Sequence, residues 1–222
     1  MTLINSFFSR CVILAVSAGL LFSLLACAAP VHADDVELRW AILADSTEGM
    51  RPLDFSGSPI VFSGTALQLY IEHLNNCHIY LYLLDSSNEL TPIYPAESGY
   101  YDYGFPRGPK LVPPGDQSFT FVPPAGTETM LLIASVERLF QLEELTSIYQ
   151  KNPGWPEQQK LLLDMIDELI ENGDENKSKK SEKQKEVTIK FRLGGGIEQR
   201  TFVATHVDTK EFYGRKLLID HR

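Results

Sequence analysis

Apolar and polar side chains alternate along two stretches that lie far apart in the chain. Every second residue from Val36 to Ile42 is apolar, and the same period of two returns from Val187 to Leu193. This period predicts β-strands with one buried face, because successive side chains of a strand point to opposite sides. We therefore expect the strands of residues 186–222 to complete the domain that begins near residue 34.

Short apolar runs between these two stretches are separated by proline and glycine. Met130–Ala134 is an unbroken apolar run that predicts a central strand, and Phe119 and Phe121 mark a strand with prolines on both sides. Many short strands with this punctuation favour a β-sandwich.

Residues 65–84 predict a β-hairpin whose turn contains Asn75 and Asn76. A one-residue change of register moves a whole strand face, so we favour the register that unites the apolar residues, with Leu69 opposite Leu81. The tyrosines of both strands would then share the other face: Tyr70, Tyr80, Tyr82.

The spacing of apolar residues changes to a helical period after this β-rich part. Ser135 is predicted to cap a helix from Val136 to Gln150, and a second helix is predicted from Pro156 to Gly173. Residues 174–184 are polar and charged, which is typical of a solvated linker.

Residues 1–33 predict export. The segment 11–29 is almost wholly apolar, and Arg10 is the only charged residue before Asp34, as in a secretory signal peptide. Cleavage after Ala33 would give a soluble periplasmic or secreted protein, whereas cleavage before Cys27 at a lipobox-like motif would give a membrane-anchored lipoprotein. An uncleaved anchor is a third alternative, because a run of about 19 apolar residues can just span a bilayer.

The charge and the cysteine count exclude further classes of protein. The formal net charge of −9 repels phosphate backbones and disfavours nucleic-acid binding. Of the three cysteines, Cys11 and Cys27 leave with a signal peptide cleaved after Ala33, so Cys77 has no partner for an intrachain disulfide. We expect no cofactor, and membrane contact only through the signal peptide or a lipid anchor.

The sequence contains no familiar catalytic or metal-binding motif. Glu72, His73, Cys77 and His78 are close in sequence, but the predicted hairpin divides them between two faces, so they cannot converge on one tetrahedral metal ion. The glycines at 194–196 predict a hairpin turn, because a phosphate-binding loop needs a helix after it. We therefore predict no catalytic residues; the alternative is a hydrolase whose polar groups meet only in the folded chain.

Residues 98–110 carry more aromatic rings than a plain connecting loop needs. Tyrosine rings offer large, rigid, amphipathic contact areas, and arginine is likewise favoured at the residues that dominate binding. We predict that this loop recognises another envelope protein or an envelope glycan through the following residues: Tyr100, Tyr101, Tyr103, Phe105, Arg107, Lys110. The alternative is that these rings cover an open edge or end of the sandwich.

Several short motifs follow one another between residues 64 and 145: Tyr80–Asp85, Glu89-Leu90, Ile93–Pro95, Leu111–Pro113, Phe121, Pro124–Glu128, Ile133–Ser135. In their order and spacing they resemble a bacterial family known as domain of unknown function 4384. The resemblance implies an Ig-like β-sandwich, which other members join to caspase-like peptidase or kinase modules. It carries over no catalytic residues.

These patterns together predict a mainly β chain, an Ig-like β-sandwich with an inserted helical hairpin and a C-terminal β extension. The predicted division is a signal peptide at 1–33, a β-sandwich core at 34–150, a helix and charged linker at 151–185, and C-terminal strands at 186–222. We expect an exported, non-catalytic binding or assembly domain of the periplasm or cell envelope. The alternatives are a lipoprotein scaffold anchored through Cys27 and the hydrolase without a recognisable motif.

Overall fold

The computed structural model describes residues 35–104, 108–173, 181–193 and 196–222. The predicted signal peptide, with Cys27, lies outside these described residues, as does most of the charged linker. In chain order the strands and helices of the described residues are β1 (Asp35–Ala44), β2 (Arg51–Pro52), β3 (Ile60–Val61), β4 (Ala66–His73), β5 (His78–Leu84), β6 (Leu90–Tyr94), β7 (Gly108–Val112), β8 (Phe119–Thr120), β9 (Gly126–Ser135), α1 (Phe140–Lys151), α2 (Pro156–Asn172), β10 (Glu182–Leu193), β11 (Gly196–Lys210) and β12 (Phe212–His221).

The strands form two sheets that share one apolar core. Sheet A has the order β10-β11-β1-β4-β7, with β2 paired to β1 and β8 paired to β4. Sheet B has the order β3-β12-β9-β5-β6. The C-terminal strands enter both sheets, because β11 pairs with β1 and β12 pairs with β9. The prediction of a mainly β sandwich with two helices is confirmed.

The alternating residues of β1 point into the space between the sheets. Val36 and Leu38 are fully buried there, and Trp40 is 6% exposed. Met130 and Leu132 face them from β9, which is a central strand of sheet B, as the unbroken apolar run predicts. Burying one such side chain stabilises the fold by about 1.5–3 kcal/mol relative to exposure, so this face decides the orientation of β1.

The predicted hairpin of residues 65–84 is wrong. β4 lies in sheet A and β5 lies in sheet B, so the chain crosses between the sheets where the turn was expected. Leu69 and Leu81 do share a core, but they face each other across the sandwich instead of pairing side by side. Tyr70 consequently lies on the outer face of sheet A, whereas Tyr80 packs beneath the helices on sheet B.

Helices α1 and α2 cover the outer face of sheet B. Leu142 of α1 and Ile166 of α2 are buried against strand residues such as Ile133. Gly214 of β12 allows a close approach, because a Cβ at this position would lie 3.1 Å from the Cα of Ile170. Neither helix of the described residues is both long and apolar enough to cross a membrane.

The first helix begins later than predicted. Ser135 is the last residue of β9 and pairs with Phe212 of β12, so it extends sheet B instead of capping a helix at Val136. α1 therefore begins at Phe140. The second helix follows its prediction, with Pro156 in its first turn.

The hairpin of β10 and β11 extends past the end of its pairing with β1. β11 pairs with β1 as far as Thr205, and residues beyond that point pack on the outer face of sheet A. There the ring of Phe202 meets Tyr70 edge-on, with ring centres 5.1 Å apart. Leu193 pairs with Gly196, so the strands on both sides of the predicted glycine turn are paired, and Gly194 and Gly195 lie outside the described residues.

Candidate binding groove

An open groove of about 570 Å³ lies where β6 and β7, the edge strands of the two sheets, come close together. Its walls come from β6, the loop after β6, β7 and the end of β10. Its aromatic, apolar and cationic character comes from these residues: Tyr94, Tyr100, Lys110, Leu111, Lys190, Phe191. This volume lies in the range of sites that hold small molecules or short chain segments.

Two hydrogen-bonded side chains hold the end of the β10–β11 hairpin against the loop that follows β7. Arg200 Nη1 donates to Oε1 of Gln68 at 3.1 Å, and the Arg200 guanidinium lies 4.9 Å from the centre of the Phe191 ring. Nε2 of Gln68 donates to the main-chain oxygen of Pro113 at 3.0 Å. Gln68 is only 2% exposed, so the contact that holds the groove wall with Phe191 is anchored in the protein interior.

A row of hydrogen bonds leads from the core to the groove. The hydroxyl oxygens of Tyr100 and Tyr94 are 2.9 Å apart, and the Tyr94 hydroxyl is 2.9 Å from Nε2 of His73. Nδ1 of His73 is in turn 2.9 Å from the main-chain oxygen of Cys77. Tyr94 and His73 are buried, whereas Tyr100 is half-buried and lines the groove.

The direction of each hydrogen bond in this row follows from its inner end. The main-chain oxygen of Cys77 can only accept, so Nδ1 of His73 carries a proton. Burial lowers the pKa of His73 to about 4, so Nε2 is unprotonated near neutral pH and accepts from Tyr94. Tyr94 has then donated its one proton and accepts from Tyr100. Tyr100 therefore offers a ligand its oxygen lone pairs and no proton.

The groove is locally basic in an acidic protein. Among the described residues, Lys110 and Lys190 line it together with a single acidic residue, Glu97, although the whole chain carries a formal net charge of −9. The methylene groups of both lysine side chains can also cover apolar surface while their ammonium groups stay in water. The lining therefore favours a ligand that is partly apolar and carries negative charge.

The structure divides the residues of the predicted recognition loop. Tyr100 and Lys110 lie together in the groove. Tyr103 is 99% exposed, and Tyr101 is only 7% exposed. Two predicted residues lie outside the described residues: Phe105 and Arg107.

Tyr101 is engaged with the main chain of sheet B. Its hydroxyl accepts a hydrogen bond from the Ile79 main-chain nitrogen at 2.8 Å and donates one to the Ile79 oxygen at 2.7 Å. Ile79 lies in β5 before the part of β5 that pairs with β6, which begins at Leu81. The hydroxyl therefore takes the place of a strand partner at this position.

Cys77 and the histidines near it have structural contacts. His73 binds the main-chain oxygen of Cys77, and His78 lies 3.1 Å from the main-chain oxygen of Val136. Burial raises the pKa of the Cys77 thiol to about 12, far above the pH at which a thiolate would be present. Within the described residues, no group of three or more metal-ligating side chains comes together.

Sequence reasoning missed four of the six groove residues named above: Tyr94, Leu111, Lys190, Phe191. Lys190 and Phe191 belong to a correctly predicted strand, but nothing local indicates that this strand reaches the tyrosine loop. Tyr94 stands in the Ile93–Pro95 motif, which indicated the family resemblance but no binding site. The sequence signal that could have indicated Phe191 as a groove residue was its position close before the predicted glycine turn.

Comparison with known proteins identifies part of the chain. Residues 61–138 match the model of a family described as a domain of unknown function (DUF4384). No curated protein and no solved structure matches the chain. The matched segment contains β4–β9 and thus most of the groove, whereas Lys190 and Phe191 lie beyond it. The resemblance seen in the motifs is confirmed for residues 61–138, which are similar to the domain of unknown function (DUF4384) family.

Proposed function

We propose that this protein is an exported, non-catalytic binding domain of the periplasm or cell envelope, and that its groove holds an extended acidic segment of another protein. The observation that carries the proposal is the groove, whose aromatic and lysine-bearing walls are held by buried hydrogen bonds. Export rests on the signal-like composition of residues 1–33.

The position of the groove favours a polypeptide. In the described part of the chain β7 is the outermost strand on its side of sheet A, so the side of β7 away from β4 is a sheet edge. Extended peptides bind such edges through main-chain hydrogen bonds, while alternate side chains enter neighbouring pockets. Pro109 and Lys110 are residue types that keep an edge strand from pairing with copies of itself.

The chemistry of the groove favours an acidic segment. Lys110 and Lys190 can meet carboxylates of the ligand, and the Tyr94 and Phe191 rings can contact its apolar side chains. The Tyr100 oxygen can accept a hydrogen bond from a main-chain N–H of the ligand. One extended chain supplies all three kinds of group at regular intervals.

Fluorescence anisotropy with a labelled decapeptide, in which glutamate alternates with valine, tests the proposal. We expect a dissociation constant in the micromolar range that rises with salt, because the lysines are only partly shielded from solvent. Lys110→Glu should weaken binding about tenfold, since each exposed charge pair contributes about 0.2–1 kcal/mol and repulsion replaces attraction. Tyr103→Ala is the matched control, because Tyr103 is 99% exposed and does not line the groove.

Other outcomes would contradict this function. Equal binding by the wild-type protein and Lys110→Glu would place the peptide elsewhere. Equal binding of a decapeptide with lysine in place of glutamate would remove the argument from charge. Binding of a peptidoglycan oligosaccharide, with no binding of the acidic decapeptide, would identify an envelope glycan as the ligand.

Mass spectrometry of the N-terminus after expression in a bacterium tests export separately. A chain that begins at Asp34 is the soluble exported form, and a chain that begins at acylated Cys27 is the lipoprotein. A full-length chain recovered from the cytoplasm would contradict export.

A further inference from the structure

Ser63, His221 and Glu128 form a second row of hydrogen bonds, which shares no residue with the groove lining. Ser63 Oγ is 2.8 Å from Nε2 of His221, and Nδ1 of His221 is 2.8 Å from Oε1 of Glu128. His221 is 1% exposed and Glu128 is 2% exposed, whereas Ser63 is exposed. The order of hydroxyl, imidazole and carboxylate is the order in which a serine nucleophile is activated.

Three strands of sheet B bring these residues together. Ser63 follows β3, which pairs in parallel with β12 so that His221 lies opposite Val61. Glu128 of β9 lies opposite Ile219 of β12, two positions before His221 and on the same face of the sheet. The three side chains come from distant parts of the sequence, so no local motif announces them.

The protons of this row can be assigned from Glu128. Its carboxylate accepts from Nδ1 of His221 through Oε1, and from the Ser86 main-chain nitrogen at 3.1 Å through Oε2. In the tautomer that carries its proton on Nδ1, Nε2 is placed to accept the proton of the Ser63 hydroxyl. The Phe121 ring, with its centre 5.3 Å from that of His221, covers the imidazole. His221 is thus held in one orientation, with Nδ1 toward Glu128 and Nε2 toward Ser63.

The main-chain donors next to Ser63 are already used. The Ser63 nitrogen donates to the main-chain oxygen of Arg222 at 2.8 Å, and the Gly64 nitrogen donates to the oxygen of Phe121 at 3.0 Å. In serine hydrolases the N–H after the nucleophile stabilises the oxyanion, and losing one such donor slows the reaction about 10²–10³-fold. Ser63 therefore needs an acyl donor with a good leaving group, and water attacks the resulting ester slowly.

We propose that Ser63 is a modification site, a nucleophile that accepts one acyl group from an activated ester and retains it. Oγ forms a bond to the carbonyl carbon while the bond from that carbon to the leaving oxygen breaks. The Ser63 proton passes to Nε2 of His221 and then to the leaving oxygen. One activated ester is consumed, and one seryl ester and one alcohol are formed. This site goes beyond the binding function proposed for the groove.

p-Nitrophenyl acetate is the probe for this site. We expect the full chain to release one equivalent of p-nitrophenol, and peptide mass spectrometry to place a single acetyl group on Ser63. Ser63→Ala should abolish this release, whereas Ser87→Ala should keep it, because Ser87 is an exposed serine on the turn before β6. Thermal unfolding shows whether each variant is folded, because Ser63→Ala also removes the hydroxyl partner of the buried His221 imidazole.

Glu128→Gln tests the positioning role of the carboxylate. The change keeps the size of the side chain but removes the charge that holds the imidazole tautomer, so acetylation of Ser63 should slow by about 10²–10⁴-fold. An unchanged rate in a folded Glu128→Gln protein would overturn the role of the row. Equal acetylation of Ser63→Ala would overturn the site, and sustained turnover without acetylated Ser63 would overturn the retained ester.

Discussion

Removal of one hydroxyl group, in Tyr101→Phe, should destabilise the whole domain. The hydroxyl makes two hydrogen bonds to the main chain of Ile79, a residue with 0% exposure. Without it, the Ile79 N–H and C=O lose this partner in a place that water does not reach. An unsatisfied buried polar group costs about 1–3 kcal/mol, so we expect the free energy of unfolding to fall by about 2–5 kcal/mol.

Urea unfolding followed by circular dichroism measures this loss, and thermal unfolding gives a second estimate. A loss of about 3 kcal/mol corresponds to a decrease in Tm of roughly 6–12 °C for a domain of this size. Tyr103→Phe is the matched control, because a 99% exposed tyrosine should change stability by less than about 0.5 kcal/mol. Equal stability of the two variants would refute the inference that Tyr101 completes sheet B.

Two further predictions concern packing and acid. Gly214→Val should lower the free energy of unfolding by about 1–3 kcal/mol, because its Cβ would press on the Ile170 backbone, and Gly57→Val, with open space around it, is the control for urea unfolding. Burial lowers the pKa of His73 from 6.5 to about 4 in the folded protein. As the pH falls through the window from 6.5 to about 4, His73 therefore gains a proton in the unfolded chain but not in the folded protein, and the free energy of unfolding decreases. We expect a loss of up to about 3 kcal/mol from this group, and urea unfolding across the window should show a shallower decline for His73→Gln; an identical decline would exclude His73 as its source.

The strands could be predicted because burial of one face is a local property of the sequence. The alternation from Val36 to Ile42 and the apolar run Met130–Ala134 each depend on a few neighbouring residues. The choice of strand partner is different. A hairpin and a crossing between sheets both bring Leu69 and Leu81 into one core, so their hydrophobicity does not separate the two topologies. The decision comes from β1 beside β4 and from β9 beside β5, which are contributed by other parts of the chain.

The composition of the tyrosine loop indicated the region of the groove but not the role of each residue. Tyr100 and Tyr101 are neighbours of the same type, yet one lines the groove and the other binds the main chain of Ile79. The difference depends on where β5 lacks a strand partner, which is a property of the assembled sheet. Phe191 enters the groove only because Arg200 and Gln68 hold the β10–β11 hairpin in place.

Both proposed sites need residues beyond the segment that matches the family model. The matched residues supply Ser63 and Glu128, but His221 comes from β12. β12 is an interior strand of sheet B between β3 and β9, so the contacts that complete this sheet also place the imidazole between the hydroxyl and the carboxylate. A change that loosens β12 from β9 should therefore reduce stability and acetylation of Ser63 together. Ser63→Ala should abolish acetylation while β12 stays paired with β9, and this difference separates the chemistry of the serine from the integrity of the sheet that presents it.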